Sequence, residues 1–202
     1  MQRPTYSRHH PGKNILAIDC ETSGIVFGDF DETFKQYQVV SFGLIIADSE
    51  TFAEVDSCYV EIKFDGSKYK WDDGAEAVHG LSVDHLASNG ETSEGAAETI
   101  ANFLFPHFGT GKVCVLGHNT YFDICGLRQI LSPFGVMPDL HHVVIDTSPL
   151  GFITTGIYKS NDLFQLFGAE ARGKHNALDD ARQALAVARG IKELVQAGLD
   201  TV

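Results

Sequence analysis

The chain has 202 residues, of which 44% are hydrophobic and 21% charged, with 20 Gly and 6 Pro; these proportions fit one ordinary globular domain and exclude a disordered, fibrous or low-complexity chain. Lys and Arg number 15 against 27 Asp and Glu, a net charge of −12, which excludes coating of long duplex DNA by phosphate neutralisation alone and leaves open brief, local or cation-assisted contact with nucleic acid. No apolar run nears the ~20 residues that cross a bilayer and the N-terminus lacks the apolar stretch of a secretory signal, so the expectation is a cytoplasmic protein with no membrane partner.

Residues Met1–Asn14 are polar, with Arg3, Arg8, His9, His10 and Lys13, and read as a flexible N-terminal tail before a domain over 15–202. Ile15–Ile18 is short, apolar and rich in branched side chains, the pattern of a buried strand. Thr22–Asp31 is turn-like; Val39–Ala47 and Cys58–Lys63 then read as strands joined, hairpin-fashion, through the polar Asp48–Glu50. Asp65–Gly80, rich in Gly, Asp and Lys, reads as a loop. Thr92 or Ser93 can cap a helix to about Phe105, with Ala96, Ile100, Phe103 and Leu104 on its apolar face. Val113–Leu116 is a further short strand ended by Gly117, Phe122–Leu131 a helix stopped by Ser132–Pro133, and Val143–Ile145 another strand. A short helix over Asp162–Phe167 ends at Gly168; Ala177–Ala197 is the longest helix, with Leu178, Leu185, Ile191 and Leu194 apolar and Gly198 just beyond. A meander of strands followed by alternating strands and helices gives a mixed α/β sheet covered by helices. The four cysteines show no C-x-x-C spacing, which argues against a zinc site or disulfide framework; Cys20 and Cys114 lie in apolar runs and read as buried.

Three polar groups stand out. Asp19-Cys20-Glu21 closes the first strand, and because residues two apart share a strand face, both carboxylates project together while Cys20 faces away. Two like charges that close are costly unless a cation lies between them. Gly117-His118-Asn119-Thr120-Tyr121-Phe122-Asp123 follows a buried strand and opens a helix; Asp123 alone could be a first-turn charge favoured by the helix dipole. His175-Asn176-Ala177-Leu178-Asp179-Asp180-Ala181 opens the last helix, with Asn176 as N-cap, Asp179 completing an imperfect capping box, and Asp180 beside the small Ala181 and Ala184, where a carboxylate can face the sheet.

In this order and spacing the three groups resemble the motifs of the DEDDh exonucleases, 3′-to-5′ nucleases of the ribonuclease H-like fold. The resemblance runs from about Ile15 to Arg189 and includes Ala77-Val78-His79-Gly80-Leu81-Ser82, similar to a segment that precedes the family's first helix. It implies a ribonuclease H-like mixed five-stranded sheet flanked by helices. It makes Asp19, Glu21, Asp123 and Asp180 the carboxylates that hold two divalent cations, and His175 the general base. The residue chemistry agrees: four oxygen donors and no cysteine ligand suit Mg²⁺ or Mn²⁺, a pair of ions can stabilise the attacking and leaving oxygens of an in-line displacement, and histidine titrates near neutrality. The implied substrate is the 3′ end of single-stranded DNA or RNA, released as nucleoside 5′-monophosphates. A polymerase or replication protein on another chain, or a second copy in a homodimer, are the implied partners.

The neighbours have competing roles. Thr22 either offers its backbone to the terminal nucleotide, as the resemblance suggests, or is a plain turn residue. Asn119 is read as ordering the Asp123 loop by hydrogen bonding at the substrate side. His79, His85 and His118 read as structural or surface histidines, and Asp146 and Asp179 as cap or loop carboxylates. Phe27, Tyr37 and Phe122 could stack on bases, though each singly reads as core. Thr22–Tyr37, with acidic Asp29, Asp31 and Glu32, is somewhat longer than in many relatives and borders the expected substrate entrance. The alternative from another class is a catalytically inactive nuclease-like domain that binds nucleic acid or protein; its mark would be a lost metal carboxylate, and all four are present.

Overall fold

In the computed structural model, which describes residues 11–168 and 173–200, the run Ile15–Ile18 has no exposed surface and forms the middle of strand β1, Asn14–Thr22. The other elements are, in order, α1 (Phe30–Gln36), β2 (Val39–Asp48), β3 (Glu54–Glu61), α2 (Asp73–His79), α3 (Val83–Asn89), α4 (Ser93–Phe108), β4 (Val113–Gly117), α5 (Thr120–Leu131) with a 3-10 turn over Ser132–Phe134, β5 (Leu140–Asp146), α6 (Thr147–Thr155), α7 (Ser160–Leu166) and α8 (Ala177–Asp200). The five strands form one sheet in the order β3-β2-β1-β4-β5. β1 runs antiparallel to β2, and β2 to β3, whereas β4 lies parallel to β1 and to β5.

Strand periodicity divides the core in two. Leu16, Ile18 and Cys20 pack with α4 and α5 (Ala96, Ile100, Leu104, Ile124, Leu127). Ile15 and Ala17 face the other way, onto Leu163 of α7 and Ala181, Ala184, Leu185 and Ala188 of α8. Side chains of the second parity, continued to the strand's end, are Asp19 and Glu21. The carboxylates therefore emerge on the α8 face, where the strand leaves its apolar core.

Several elements differ from the sequence expectation. Asn14 belongs to β1, not to the tail; residues 1–10 of that tail lie outside the described residues. The loop expected over Asp65–Gly80 contains α2, capped by the Asp72 side chain on the Gly74 N–H and ended by Gly80 at φ 76°. α1, with Asp29 as its cap, and α3, with Ser82, are also seven-residue helices. Two turns are too short for an apolar period to show, and such helices are held by caps and packing. α6 was hidden by its β-branched threonines and Pro149; it holds because Gly151 lets Leu163 of α7 approach its backbone. The hairpin is present, but β3 starts at Glu54. α4 continues to Phe108 through Pro106, and α8 runs past Gly198 to Asp200. All four cysteines are free thiols, with Cys20, Cys114 and Cys125 buried. No helix among the described residues is long and apolar enough to cross a membrane.

One side chain fixes α1 to the body. The Gln129 amide on α5 accepts the Val39 N–H at 2.8 Å and donates to the carbonyls of Phe34 at 2.8 Å and Tyr37 at 2.7 Å. Gln129→Ala would leave these backbone groups unsatisfied, a cost of about 2–4 kcal/mol. The urea midpoint should fall at unchanged m-value; an unchanged midpoint would mean water replaces the amide at no cost.

Candidate active site

The strand end is built by close approach. Across the sheet, Glu21 is paired with Ser41 and Ser41 with Glu61, while Asp19 is paired with Gly43 and Gly43 with Tyr59. Gly43 lies beneath the first turn of α8: any Cβ there would overlap the Ala177 carbonyl and the Leu178 N–H. The helix thus begins in contact with the backbone of β2, one strand from Asp19. Asn176 caps it, its side-chain oxygen accepting the N–H groups of Leu178 at 3.1 Å and Asp179 at 3.2 Å. That start turns the two aspartates apart. Asp179 is exposed and meets Arg182 at 3.4 Å, so it closes no capping box. Asp180 is turned inward and is 3% exposed.

Glu21, His175 and Asp180 each offer a ligand atom, and these atoms lie within 4.8 Å of one another. His175 Nδ1 is 3.5 Å from an Asp180 carboxylate oxygen, and the ring is about one-third exposed. Its backbone N–H donates to the Val78 carbonyl at 3.0 Å, joining the segment before α8 to α2. Asp19 shares the Glu21 face of β1 and is half-buried.

Asp123 arrives from the other side. β4 stops at Gly117, tight enough that a Cβ would lie 3.0 Å from the Ile18 carbonyl. Beyond this point the Asp123 carboxylate, 2% exposed, accepts the Cys20 N–H at 3.0 Å. Burial, reinforced by the negative charge of Glu21, pushes the Asp123 carboxyl well above the usual range. Burial and the adjacent Asp123 likewise push the Cys20 thiol up.

Asn119 adopts a left-handed backbone at φ 65° with its side chain making no cap bond. The loop is instead ordered by Asp146, whose carboxylate accepts the N–H groups of Asn119 at 3.0 Å and Thr120 at 3.1 Å as well as capping α6. The Thr22 hydroxyl turns back onto the Gly24 carbonyl at 2.8 Å, in a turn, and the residue lines a cleft of about 220 Å³ with Glu21, Ile25, Val78, His79 and Phe122. His79 is part of that wall, a location its sequence reading as a structural histidine did not anticipate. Its Nδ1 accepts the Leu81 N–H, leaving the ring proton on Nε2, a buried atom with no hydrogen-bond partner among the described residues, and burial pulls its pKa down. His118 is engaged by Thr147 and Phe164, and His85 by Glu61. Phe122 and Tyr37 are half-buried, whereas Phe27 is 91% exposed and no core residue.

Gly43 and α2 were not among the sequence candidates. The signal for the first was a glycine inside the apolar run Val39–Ala47, a mark of close backbone approach. For the second it was Asp72 and Gly80 at cap spacing. Chemically, a set of carboxylate oxygens with one imidazole, gathered where side chains leave the core, fits hard divalent cations.

A family model described as exonuclease, of the ribonuclease T type, matches residues 16–188. Comparison with curated proteins gives no match. Among solved structures, the fold is similar to E. coli exonuclease I in complex with a dT13 oligonucleotide (TM-score 0.70, 18% identity, covering 94% of this chain and 43% of that one). It is also similar to the zinc-bound form of the E. coli exonuclease I complex with single-stranded DNA (0.67, 19%, 90% and 41%). A third likeness is to a 3′-exonuclease that recognises a histone mRNA stem-loop (0.65, 14%, 89% and 63%). The chain spans less than half the length of the exonuclease I chains.

Two outcomes test this geometry. Gly43→Ala must lift the start of α8 from β2, so it should lower the melting temperature and weaken Mn²⁺ binding at least tenfold by calorimetry. A variant that binds Mn²⁺ as wild type would dissociate the close approach from the site. The second concerns pH. The folded-state pKa of Asp123 is raised above its unfolded value, so its contribution favours folding below the unfolded pKa and is lost as pH rises through the raised one. Asp123→Asn should therefore melt higher than wild type in metal-free buffer at neutral pH, the gap closing towards pH 3; a gap independent of pH would assign it to another cause.

Proposed function

Because the chain belongs to the exonuclease family, in its DEDDh type of 3′-to-5′ nuclease, we propose that it hydrolyses the terminal phosphodiester bond at the 3′ end of single-stranded DNA or RNA with two divalent metal ions. The observation that carries this reading is the convergence of Glu21, Asp180 and His175 within 4.8 Å, beside a cleft lined by Glu21. Asp19, Glu21, Asp123 and Asp180 would hold Mg²⁺ or Mn²⁺. Such ions offset the carboxylate charge and stabilise the developing charge on the attacking and leaving oxygens.

The chain's own groups do the rest. The cleft between Thr22 and His79 takes the terminal nucleoside, with the Thr22 backbone at its 3′ end, while Asn119 shapes the loop that carries Asp123. His175, held at Nδ1 by Asp180, accepts a proton from the attacking water at Nε2. The water oxygen bonds to phosphorus as the bond from phosphorus to the upstream 3′ oxygen breaks. That oxygen takes up a proton, and a nucleoside 5′-monophosphate leaves. The net charge of −12 suits recognition of an end rather than of a long duplex.

Incubating 5′-labelled single strands of matched DNA and RNA, with and without EDTA, tests the activity: shortening from the 3′ end that needs the metal is expected, and intact strands would refute it. His175→Ala should lower turnover by ~10²–10⁴-fold, retain metal and strand binding, and recover part of the rate at high pH. His118→Ala, whose ring is engaged elsewhere, should cost far less. Collapse of metal affinity in His175→Ala would make this residue a ligand rather than the base.

A further inference from the structure

We infer that Phe27, Phe30 and Tyr121 form a stacking rim for the unpaired bases upstream of the terminal nucleotide, and that this rim, rather than phosphate contact, holds the single strand; the inference rests on the nuclease reading above. Phe27 is 91% exposed although its backbone is fixed. It occupies the corner of a turn in which the Asp29 N–H donates to the Val26 carbonyl at 3.2 Å and Gly28 supplies the required φ of 80°. Thr33 of α1 locks that turn, its hydroxyl oxygen accepting the Val26 N–H at 2.9 Å while the hydroxyl donates to the Asp29 carbonyl at 2.8 Å. The ring is thus presented to solvent by a rigid support, and the Gln129 amide fastens α1 to α5, which carries Asp123.

The Phe30 and Tyr121 rings join the cleft through Phe122, and Phe27 joins it along the chain through Ile25. Ile25, two residues before Phe27, lines it, and so does Phe122. Phe122 meets the edge of Phe30 at 5.3 Å, and Phe30 lies 6.2 Å from the ring of Tyr121, which is 52% exposed. Stacking accepts any base and requires that the base be unpaired. The charges nearby favour bases over phosphates at this rim. α1 and its cap bring Asp29, Asp31 and Glu32; Lys35 sits 3.6 Å from Glu32, and Arg128 shares its cavity with Asp31. A strand held this way keeps its phosphates away from α1, and its affinity depends only weakly on salt.

The test uses fluorescence anisotropy with 5′-labelled ten-nucleotide oligo-dT and oligo-U, in EDTA and in Ca²⁺, on the whole chain. Phe27→Ala should weaken binding about 5- to 100-fold, Phe27→Trp should restore it, and raising salt from 50 to 200 mM should weaken wild-type binding less than tenfold. Because the Phe27 ring is solvent-exposed, loss of folding does not confound the variant. Hydrolysis of the p-nitrophenyl ester of thymidine 5′-monophosphate, which fills the cleft without reaching the rim, should keep its kcat and KM in Phe27→Ala. Unchanged oligonucleotide affinity in Phe27→Ala, a steep salt dependence, or an equal loss on the small ester would overturn the rim. Rim-dependent binding by a wild-type protein that cleaves nothing would instead overturn the nuclease reading and leave the rim standing.

Discussion

Glu21, Asp123 and Asp180 are 9%, 2% and 3% exposed and meet at the end of one strand, and the repulsion and desolvation of these carboxylates is the constraint around which the surrounding structure is arranged. Each has a local offset. Asp123 receives the N–H that β1 presents beyond the end of β4, and both Asp123 and Asp180 lie in the first turn of a helix, where the peptide dipoles favour negative charge. These offsets are partial, as the raised Asp123 carboxyl shows. A cation bound there would relieve the remaining imbalance, so the feature that costs the metal-free protein stability would also make the strand end receptive to such an ion.

The sheet explains why the pieces meet there. β1 is flanked by an antiparallel and a parallel neighbour, so its C-terminal end coincides with the end of β4, where α5 starts, and with the beginning of β2. A register shift between Glu21 and Thr22 ends the regular pairing at the same point. Carboxyl ends of parallel strands are the usual place for a site in open α/β sheets. Here antiparallel β2 adds its glycine, and with it the foot of α8.

The motif carboxylates were legible in the sequence because local rules place them: period two on β1, a buried strand ended by Gly117 just before α5, and the Asn176 cap that opens α8. The longer strands and helices were legible for the same reason. What escaped depends on contacts between distant segments. α1 and α2 have too few residues for a period and stand on the Gln129 amide and the Val78 carbonyl. Asn119 was read through its side chain, whereas its backbone makes the bonds and Asp146, 27 residues on, receives them. The exposure of Phe27 is set by Thr33, which no hydrophobic pattern announces.

The hydrogen bond from the His175 N–H to the Val78 carbonyl runs from one peptide to another. Every residue except proline carries the donor and every residue carries the acceptor, so the spacing between α2 and the start of α8 is independent of which side chains occupy these two sites. The scaffold and the chemistry are thereby separable. Residue 175 can be exchanged for a different acid, base or inert group without rebuilding the wall opposite, and the architecture can persist through changes of the side chain carried at this position.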